Sequence, residues 1–146
     1  MKKNSENEPI ETQTDVIAVD ELASDDVNSE PKESSRLDMI LECIRERKGR
    51  DVVVLDLREL TPVADYFVIC SGTSSMHARS IAEHIELVCK KAGDYPFGVE
   101  GMKIGKWILM DYSTIIVHVF QDETRAFYNL ERLWADAKRV ETENEE

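Results

Sequence analysis

The sequence lacks the features that mark a membrane or secreted protein. Its 146 residues contain no apolar run of roughly 18 residues, the length that a membrane-spanning helix needs, and no apolar signal-peptide core at the N-terminus. Acidic residues near the N-terminus argue against an organellar transit peptide. The three cysteines, Cys43, Cys70 and Cys89, form no CxxC pair, which fits reduced thiols. We therefore expect a cytoplasmic protein with no membrane partner.

Positive charge is also scarce. The chain has 18 Lys and Arg against 30 Asp and Glu, giving a net charge of −12. Proteins that bind nucleic acids without sequence preference use Lys and Arg to displace counterions from phosphates, so this class is disfavoured. Binding to anionic membranes through basic patches is disfavoured for the same reason. We expect no direct nucleic-acid readout.

The charge and the aromatic residues divide the chain into three parts. Residues 1–36 hold 4 basic and 10 acidic side chains, two prolines and no aromatic residue. Such a segment cannot bury enough apolar area to offset the entropy of ordering it. Residues 138–146 carry a net charge of −2, which leaves −4 on residues 37–137. The sequence predicts a disordered acidic extension over 1–36, a domain over 37–137 and an acidic tail over 138–146.

The domain alternates helical and strand patterns. Apolar residues recur at helical spacing from Leu37 and again from Ala78. A third helix is expected over 122–137, with three buried side chains: Phe127, Leu130 and Trp134. Runs of β-branched and apolar residues predict five strands: Asp51–Leu57, Tyr66–Ser71, Phe97–Glu100, Lys106–Tyr112 and Thr114–Phe120. The order α-β-β-α-β-β-β-α predicts an α/β fold, with a mixed five-stranded sheet and packed helices.

The loop Ser71–Ser75 (SGTSS) has two readings. It lies between a strand and a helix, where backbone N–H groups and hydroxyls can bind an anion, as in a nucleotide-dependent transferase. It lacks the lysine of a P-loop and the GxGxxG spacing. The alternative is a helix cap, in which Thr73 or Ser74 accepts hydrogen bonds from the first turn. The composition favours the cap.

The acids and histidines form no catalytic or metal-binding pattern. A transferase metal site requires two carboxylates on one side of a strand, and none of the candidate acids has such a partner: Asp56, Asp65, Glu100 and Asp111. His77 and His84 are two turns apart on one helix. A lone histidine in a strand, such as His118, is more often a hydrogen-bonded core residue than a base. We predict no enzyme activity, no metal and no cofactor.

The strand around Trp107–Tyr112 (WILMDY) has large apolar residues on both faces. Trp107 and Leu109 alternate with Ile108, Met110 and Tyr112. If helices cover only one face, the other resembles the centre of a protein interface. If helices cover both faces, this is an ordinary central strand. Composition alone leaves both possibilities open.

Six segments together resemble the ribosomal silencing factor (Iojap-like) family. They occur in register across residues 37–137: Val54–Leu57 (VLDL), Ala64–Ser75 (ADYFVICSGTSS), Gly98–Gly101 (GVEG), Trp107–Tyr112 (WILMDY), Val117–Phe120 (VHVF) and Phe127–Trp134 (FYNLERLW). The resemblance implies a nucleotidyltransferase-like fold without a transferase site. It implies a translation repressor that binds a basic ribosomal protein on the intersubunit face of the large ribosomal subunit. There it blocks joining of the small subunit, especially when nutrients are limited.

The resemblance also implies a partner-binding surface. Carried over residue by residue, it comprises Trp107, Ile108, Leu109, Asp111 and Tyr112, with Asp65 and Tyr66 from the neighbouring strand start. Trp107 and Tyr112 would act as desolvated anchors, and Asp111 would pair with a Lys or Arg of the partner. A role in assembly of the large subunit would use the same surface and stays open.

Two further expectations follow from this strand. An exposed apolar strand can pair two copies of the chain, so a homodimer is expected to be possible away from the ribosome. Members of the family usually have Gly-Asp after the position of Tyr112, where this chain has Ser113-Thr114. Because serine tolerates positive φ less well than glycine, we expect a different turn type there.

Overall fold

The computed structural model describes residues 33–142. Most of the predicted acidic extension and the last four residues lie outside this range. The elements, in chain order, are α1 (Glu33–Glu46), β1 (Arg50–Asp56), β2 (Tyr66–Gly72), α2 (Ser75–Lys91), β3 (Gly98–Glu100), β4 (Trp107–Asp111), β5 (Ile115–Gln121), α3 (Asp122–Tyr128), α4 (Leu130–Leu133) and β6 (Lys138–Val140). Within the described range, no helix is both long and apolar enough to cross a membrane.

The strands form one mixed sheet in the order β3-β4-β5-β2-β1-β6. β2 and β5 run parallel, and the other neighbouring pairs are antiparallel. The mixed α/β fold is confirmed, and all five predicted strands are present. The predicted total of five is wrong, because the sheet has six strands. β6 is a sixth strand, formed by residues assigned to the acidic tail, and it pairs with Val54–Asp56 of β1. Three residues, two of them exposed and charged, carry too little alternation to reveal a strand.

One face of the sheet is covered by α1 and α2. Both helices bury the apolar stripes that their spacing predicts, and they share one core with sheet residues of β1, β2, β4 and β5. All three cysteines lie in this core and none forms a disulfide. Burial raises the pKa of both the Cys43 and Cys70 thiols to about 12.

The other face of the sheet is covered only in part, by the segment from α3 onward. The predicted helix over 122–137 is interrupted at Asn129, which adopts left-handed geometry with φ of 49°. Leu130 is buried, as predicted, whereas Trp134 is only half-buried. The prediction for Phe127 is wrong: 79% of its surface is exposed. A break at Asn129 ends the regular 3.6-residue repeat, so Phe127 does not share the face of Leu130.

The turn between β4 and β5 contains the two residues that depart from the family pattern. Ser113 takes the left-handed conformation, with φ of 75°. Its N–H donates to Oδ1 of Asp111 at 2.8 Å, and the N–H of Tyr112 donates to the carbonyl of Ile115 at 2.9 Å. The turn therefore keeps a positive φ at a serine, supported by the aspartate two residues before it.

Arg36 ties α1 to this turn. Its guanidinium donates to the carbonyl of Tyr112 at 2.7 Å and to Oγ1 of Thr114 at 3.2 Å, and it pairs with Asp94 at 2.9 Å. The helix begins at Glu33, four residues before the predicted domain boundary at Leu37. Residues 33–36 thus contribute structure to the folded unit.

Candidate partner-binding surface

Strand β4 presents different residues to the two faces of the sheet. Ile108 and Met110 lie in the core beneath the helices. Trp107, Leu109 and Asp111 alternate with them, point to the opposite face and are half-buried. The helix layer therefore covers only one face of β4, and the other face is open around Trp107.

Two of the partner-binding residues predicted within the Trp107–Tyr112 motif are not on the open face. Ile108 is 0% exposed and Tyr112 is 1% exposed, both in the core shared with α1 and α2. Neither side chain can contact a partner while this packing persists, so Tyr112 cannot act as a surface anchor. The error has a physical cause: a contiguous sequence motif in a strand alternates between faces, and only every second residue shares a surface.

Asp65 and Tyr66 lie at the far end of the sheet from Trp107. The N–H of Asp65 donates to the carbonyl of Thr114 at 2.8 Å, which places it beside the β4–β5 turn. Tyr66 packs against the helix-side core, with the Arg58 guanidinium 5.2 Å from its ring centroid. Burial raises the pKa of Tyr66, while Arg58 acts to lower it. The structure brings Asp65 near the turn end of β4 but does not bring Tyr66 onto the open face.

An aromatic cluster surrounds Trp107 on the open face. Its ring centroid lies 4.7 Å from that of Tyr128 and 5.0 Å from that of Phe120. Phe127 packs edge-on against Tyr128 at 5.0 Å. Tyr128 is 50% exposed, so the cluster reaches from the core to the surface. We call Trp107, Phe127 and Tyr128 the aromatic surface.

An open groove of about 420 Å³ borders the aromatic surface. Its lining includes Ile104 and Lys106 from the β3–β4 loop and Glu123 from α3, besides the three aromatic residues. Sequence reasoning missed Phe127 and Tyr128 as surface residues, because the expected continuous helix placed Phe127 inside. The sequence signal for this exposure is Asn129, because asparagine often takes the left-handed geometry that ends a helix.

His118 is buried beneath Trp107. It is 3% exposed, and its Nδ1 accepts a hydrogen bond of 3.1 Å from Nε1–H of Trp107. Burial lowers the pKa of His118 to about 4. The expectation of a hydrogen-bonded core histidine is confirmed. What the sequence did not show is that its partner is the predicted anchor residue.

The loop Ser71–Ser75 makes a helix cap. Ser74 is the N-cap of α2, and its Oγ accepts from the N–H of His77 at 3.0 Å. The N–H of Thr73 donates to Nδ1 of His77 at 2.9 Å, and Oγ of Ser71 accepts from Arg125 at 2.9 Å. A Cβ on Gly72 would lie 2.8 Å from the backbone nitrogen of Ala78, so the close approach of α2 accounts for this glycine.

One cluster in the described range has metal-type ligands. Donor atoms of Cys43, Glu46 and His84 lie within 4.8 Å of one another. Nε2 of His84 is 2.7 Å from Oε1 of Glu46, and the Arg47 guanidinium is 3.4 Å from Nδ1. Both imidazole nitrogens thus have partners, and Arg47 adds positive charge that opposes a cation. Burial also raises the pKa of Cys43, which opposes the thiolate that a metal requires.

The fold and this surface define an α/β protein with one sheet face under helices and an aromatic surface on the other. The family model described as "Ribosomal silencing factor during starvation" matches residues 29–146. The chain belongs to the ribosomal silencing factor family, as the sequence motifs predicted.

Relatives of known name support this assignment. The chain is 36% identical to the ribosomal silencing factor RsfS of Halalkalibacterium halodurans over 107 residues, covering 73% of this chain and 92% of that protein. It is 38% identical to the RsfS of Haemophilus influenzae over 99 residues, covering 68% of this chain and 97% of that protein. A mouse protein named mitochondrial assembly of ribosomal large subunit protein 1 is 32% identical over 101 residues, covering 67% of this chain and 44% of that protein.

The fold matches a solved structure as well. A crystal structure of a protein from Bacillus halodurans superposes with a TM-score of 0.68 at 31% identity, covering 75% of this chain and all of that chain. The mixed sheet with its packed helices is therefore the architecture of a solved protein similar in sequence.

Proposed function

We propose that this protein is a translation repressor. It binds a basic ribosomal protein on the intersubunit face of the large ribosomal subunit and sterically blocks joining of the small subunit, especially under nutrient limitation. Membership in the silencing-factor family supports the class of function. The observation that supports the binding site is the aromatic surface on the open sheet face.

The aromatic surface has the features of an interface centre. Trp107 is half-buried and its ring contacts that of Phe120, so the ring loses little conformational freedom when a partner covers it. Tyr128 and Phe127 extend the apolar area to solvent. Large exposed aromatic groups that contact one another are typical of sites where binding energy concentrates.

Asp111 supplies charge at the other end of β4. It lies four residues from Trp107 on the same face, roughly 13 Å along the strand. Its Oδ1 accepts from the N–H of Ser113, while Oδ2 accepts no hydrogen bond from the described part of the chain. This oxygen can pair with a Lys or Arg of a basic partner. Leu109 lies between the two, so we propose Trp107, Leu109 and Asp111 as the strand's contribution to the interface.

Sedimentation with isolated ribosomal subunits tests the proposal. The protein should sediment with large subunits and not with small ones, and adding it before mixing should lower the yield of joined ribosomes. Trp107→Ala should weaken large-subunit binding by at least ~2 kcal/mol if the residue is an anchor. Leu87→Ala is the control, because Leu87 is 49% exposed on α2, on the opposite side of the sheet. Absence of large-subunit binding at low salt would refute the proposal.

A role in assembly of the large subunit is the second candidate. The mouse relative carries that role in its name. Assembly and silencing both require binding to the large subunit, so mutations in the aromatic surface do not separate them. Removal of the protein from its host separates them: accumulated large-subunit precursors indicate assembly, whereas normal precursors with excess joined ribosomes during starvation indicate silencing.

We further propose that the protein is cytoplasmic and is not an enzyme. The Ser71–Ser75 loop uses Ser71, Thr73 and Ser74 in contacts within the chain, which supports the helix cap over the transferase alternative. Calorimetry with Mg²⁺-nucleotide should give no binding heat, and measurable binding would revive that alternative. The relation of the fold to nucleotidyltransferase domains stays a prediction from the resemblance.

A homodimer away from the ribosome also stays a proposal, but not by the predicted route. β5 pairs with all of β4, and β3 pairs with its Leu109–Asp111 part on the other side, which leaves β4 little free edge with which to pair a second copy. We propose that self-association uses the aromatic surface itself. Large subunits should then dissociate any dimer, which sedimentation at equilibrium can measure.

A further inference from the structure

The side chain of Trp107 is held in place by one polar contact. Its Nε1–H donates to Nδ1 of His118 at 3.1 Å, and the two ring centroids are 6.0 Å apart. His118 pairs directly with Leu109 across the β4–β5 ladder, so the contact with Trp107 is diagonal. An indole nitrogen can only donate, so Nδ1 must be an unprotonated acceptor. The neutral imidazole therefore carries its proton on Nε2.

Nε2 of His118 is a buried polar atom without a hydrogen-bond partner among the described residues. Its surroundings are aromatic: the ring centroid of Phe67 lies at 4.6 Å and that of Phe120 at 6.2 Å. A buried N–H that makes no hydrogen bond costs free energy, which an apolar side chain would avoid. Histidine is therefore a costly choice for stability alone at this position.

We propose that His118 is a positioning residue that fixes the orientation of the Trp107 indole at the partner-binding surface. This inference rests on the proposed function and deepens it. With Nδ1 as its acceptor, the indole keeps its tilted contacts with the rings of Phe120 and Tyr128. Without it, the N–H of a half-buried indole turns toward water, and the ring leaves the geometry that a partner would recognise.

Two substitutions of equal size separate positioning from packing. His118→Asn places an amide oxygen near the position of Nδ1, whereas His118→Leu fills the same space without an acceptor. Both lose the same part of the ring. We expect His118→Asn to bind large subunits within about threefold of the unsubstituted protein and His118→Leu to bind at least about tenfold more weakly.

The free energy of unfolding should rank the two variants in the opposite order from their binding to large subunits. The asparagine amide brings further buried polar atoms, so His118→Leu should be at least as resistant to denaturant as His118→Asn. A residue that acts only through packing would give the same order for stability and binding. Equal large-subunit binding by the two variants would overturn the proposal.

Two spectroscopic measurements test the positioning without ribosomes. In a Trp134→Phe background, tryptophan fluorescence reports Trp107 alone; His118→Leu should shift its emission to longer wavelength and His118→Asn should not. Nitrogen NMR of the unsubstituted protein should show His118 protonated on Nε2, and a proton on Nδ1 would overturn the proposal. If the unsubstituted protein fails to bind large subunits, the proposed function falls, while these two measurements still decide whether His118 orients Trp107.

Discussion

Arg125 in α3 donates a hydrogen bond of 2.9 Å from Nη1 to Oγ of Ser71, a buried serine near the end of β2. The same guanidinium donates from Nη2 to Oε2 of Glu131 at 2.7 Å. Burial acts to raise the pKa of Glu131, but the hydrogen bond and charge of Arg125 outweigh it and lower that pKa. Arg125 therefore fastens both short helices of the open face to the sheet, and with them Tyr128.

Arg125→Ala should lower the free energy of unfolding by about 2–4 kcal/mol. The change leaves the Ser71 hydroxyl buried without this donor and the mostly buried Glu131 carboxylate without its counter-charge. Denaturant titration measures the loss. Arg132→Ala is the matched control, since Arg132 is exposed, and it should change stability by no more than about 0.5 kcal/mol. Equal effects of both changes would contradict the anchoring role.

Tyr128→Ala should weaken large-subunit binding by about 1–2 kcal/mol, because it removes a ring that contacts Trp107. Half of the Tyr128 surface faces solvent, so the ring is also available to a partner. Tyr128→Phe keeps the ring and should bind as the unsubstituted protein does. Co-sedimentation over a range of subunit concentrations gives both affinities. If the phenylalanine variant loses as much binding as the alanine variant, the hydroxyl rather than the ring makes the contact.

Ser113→Gly should raise the free energy of unfolding by roughly 0.5–1 kcal/mol. Ser113 has φ of 75°, a conformation in which a Cβ is strained and glycine is not. Ser113→Ala retains both the Cβ and the N–H that donates to Asp111, so it should leave stability nearly unchanged. Thermal unfolding of the three proteins provides the comparison. A glycine variant less stable than the alanine variant would show that the turn carries little strain.

His118 should make stability depend on pH. Its pKa is about 4 in the folded protein, against an ordinary value of 6.5. As pH falls below about 6.5 the unfolded chain takes up the proton first, so the free energy of unfolding falls until pH reaches about 4. The loss is up to roughly 3 kcal/mol.

The measurement for this prediction is the stability difference between the unsubstituted protein and His118→Asn at several pH values. Groups common to both proteins cancel in the difference. The difference should change steadily between pH 6.5 and 4 and be flat above pH 7. A pH-independent difference would mean that the buried imidazole is protonated as readily in the folded chain as in the unfolded one.

The sequence predicted the two faces of β4 but not which one the helices cover. Trp107 and Leu109 were separated from Ile108 and Met110 by alternation, and the structure confirms that separation. Both sets are large and apolar, so hydrophobicity could not decide between them. The choice depends on long-range packing of α1 and α2.

The aromatic surface was predicted only in part, because it is assembled from distant segments. The strand motif predicts Trp107, whereas Tyr128 comes from α3, a separate segment whose contact with Trp107 the sequence does not show. The hydrogen bond from Trp107 to His118 crosses the ladder diagonally, and direct strand pairing places Leu109 opposite His118 instead. Hydrophobic periodicity describes one helix or strand at a time, so it does not predict contacts between side chains of different elements.

The three buried cysteines can report how often the helix layer separates from the sheet. Cys43, Cys70 and Cys89 sit on α1, β2 and α2 and are all sealed between the helix layer and the sheet. A thiol reagent in solution can modify them only during moments when this layer separates. The rate of labelling therefore measures how often the layer opens. The order in which the three thiols react shows which helix separates from the sheet first. The aromatic surface lies on the other side of the sheet, so a bound partner that slows this labelling would be acting across the sheet rather than by shielding the thiols.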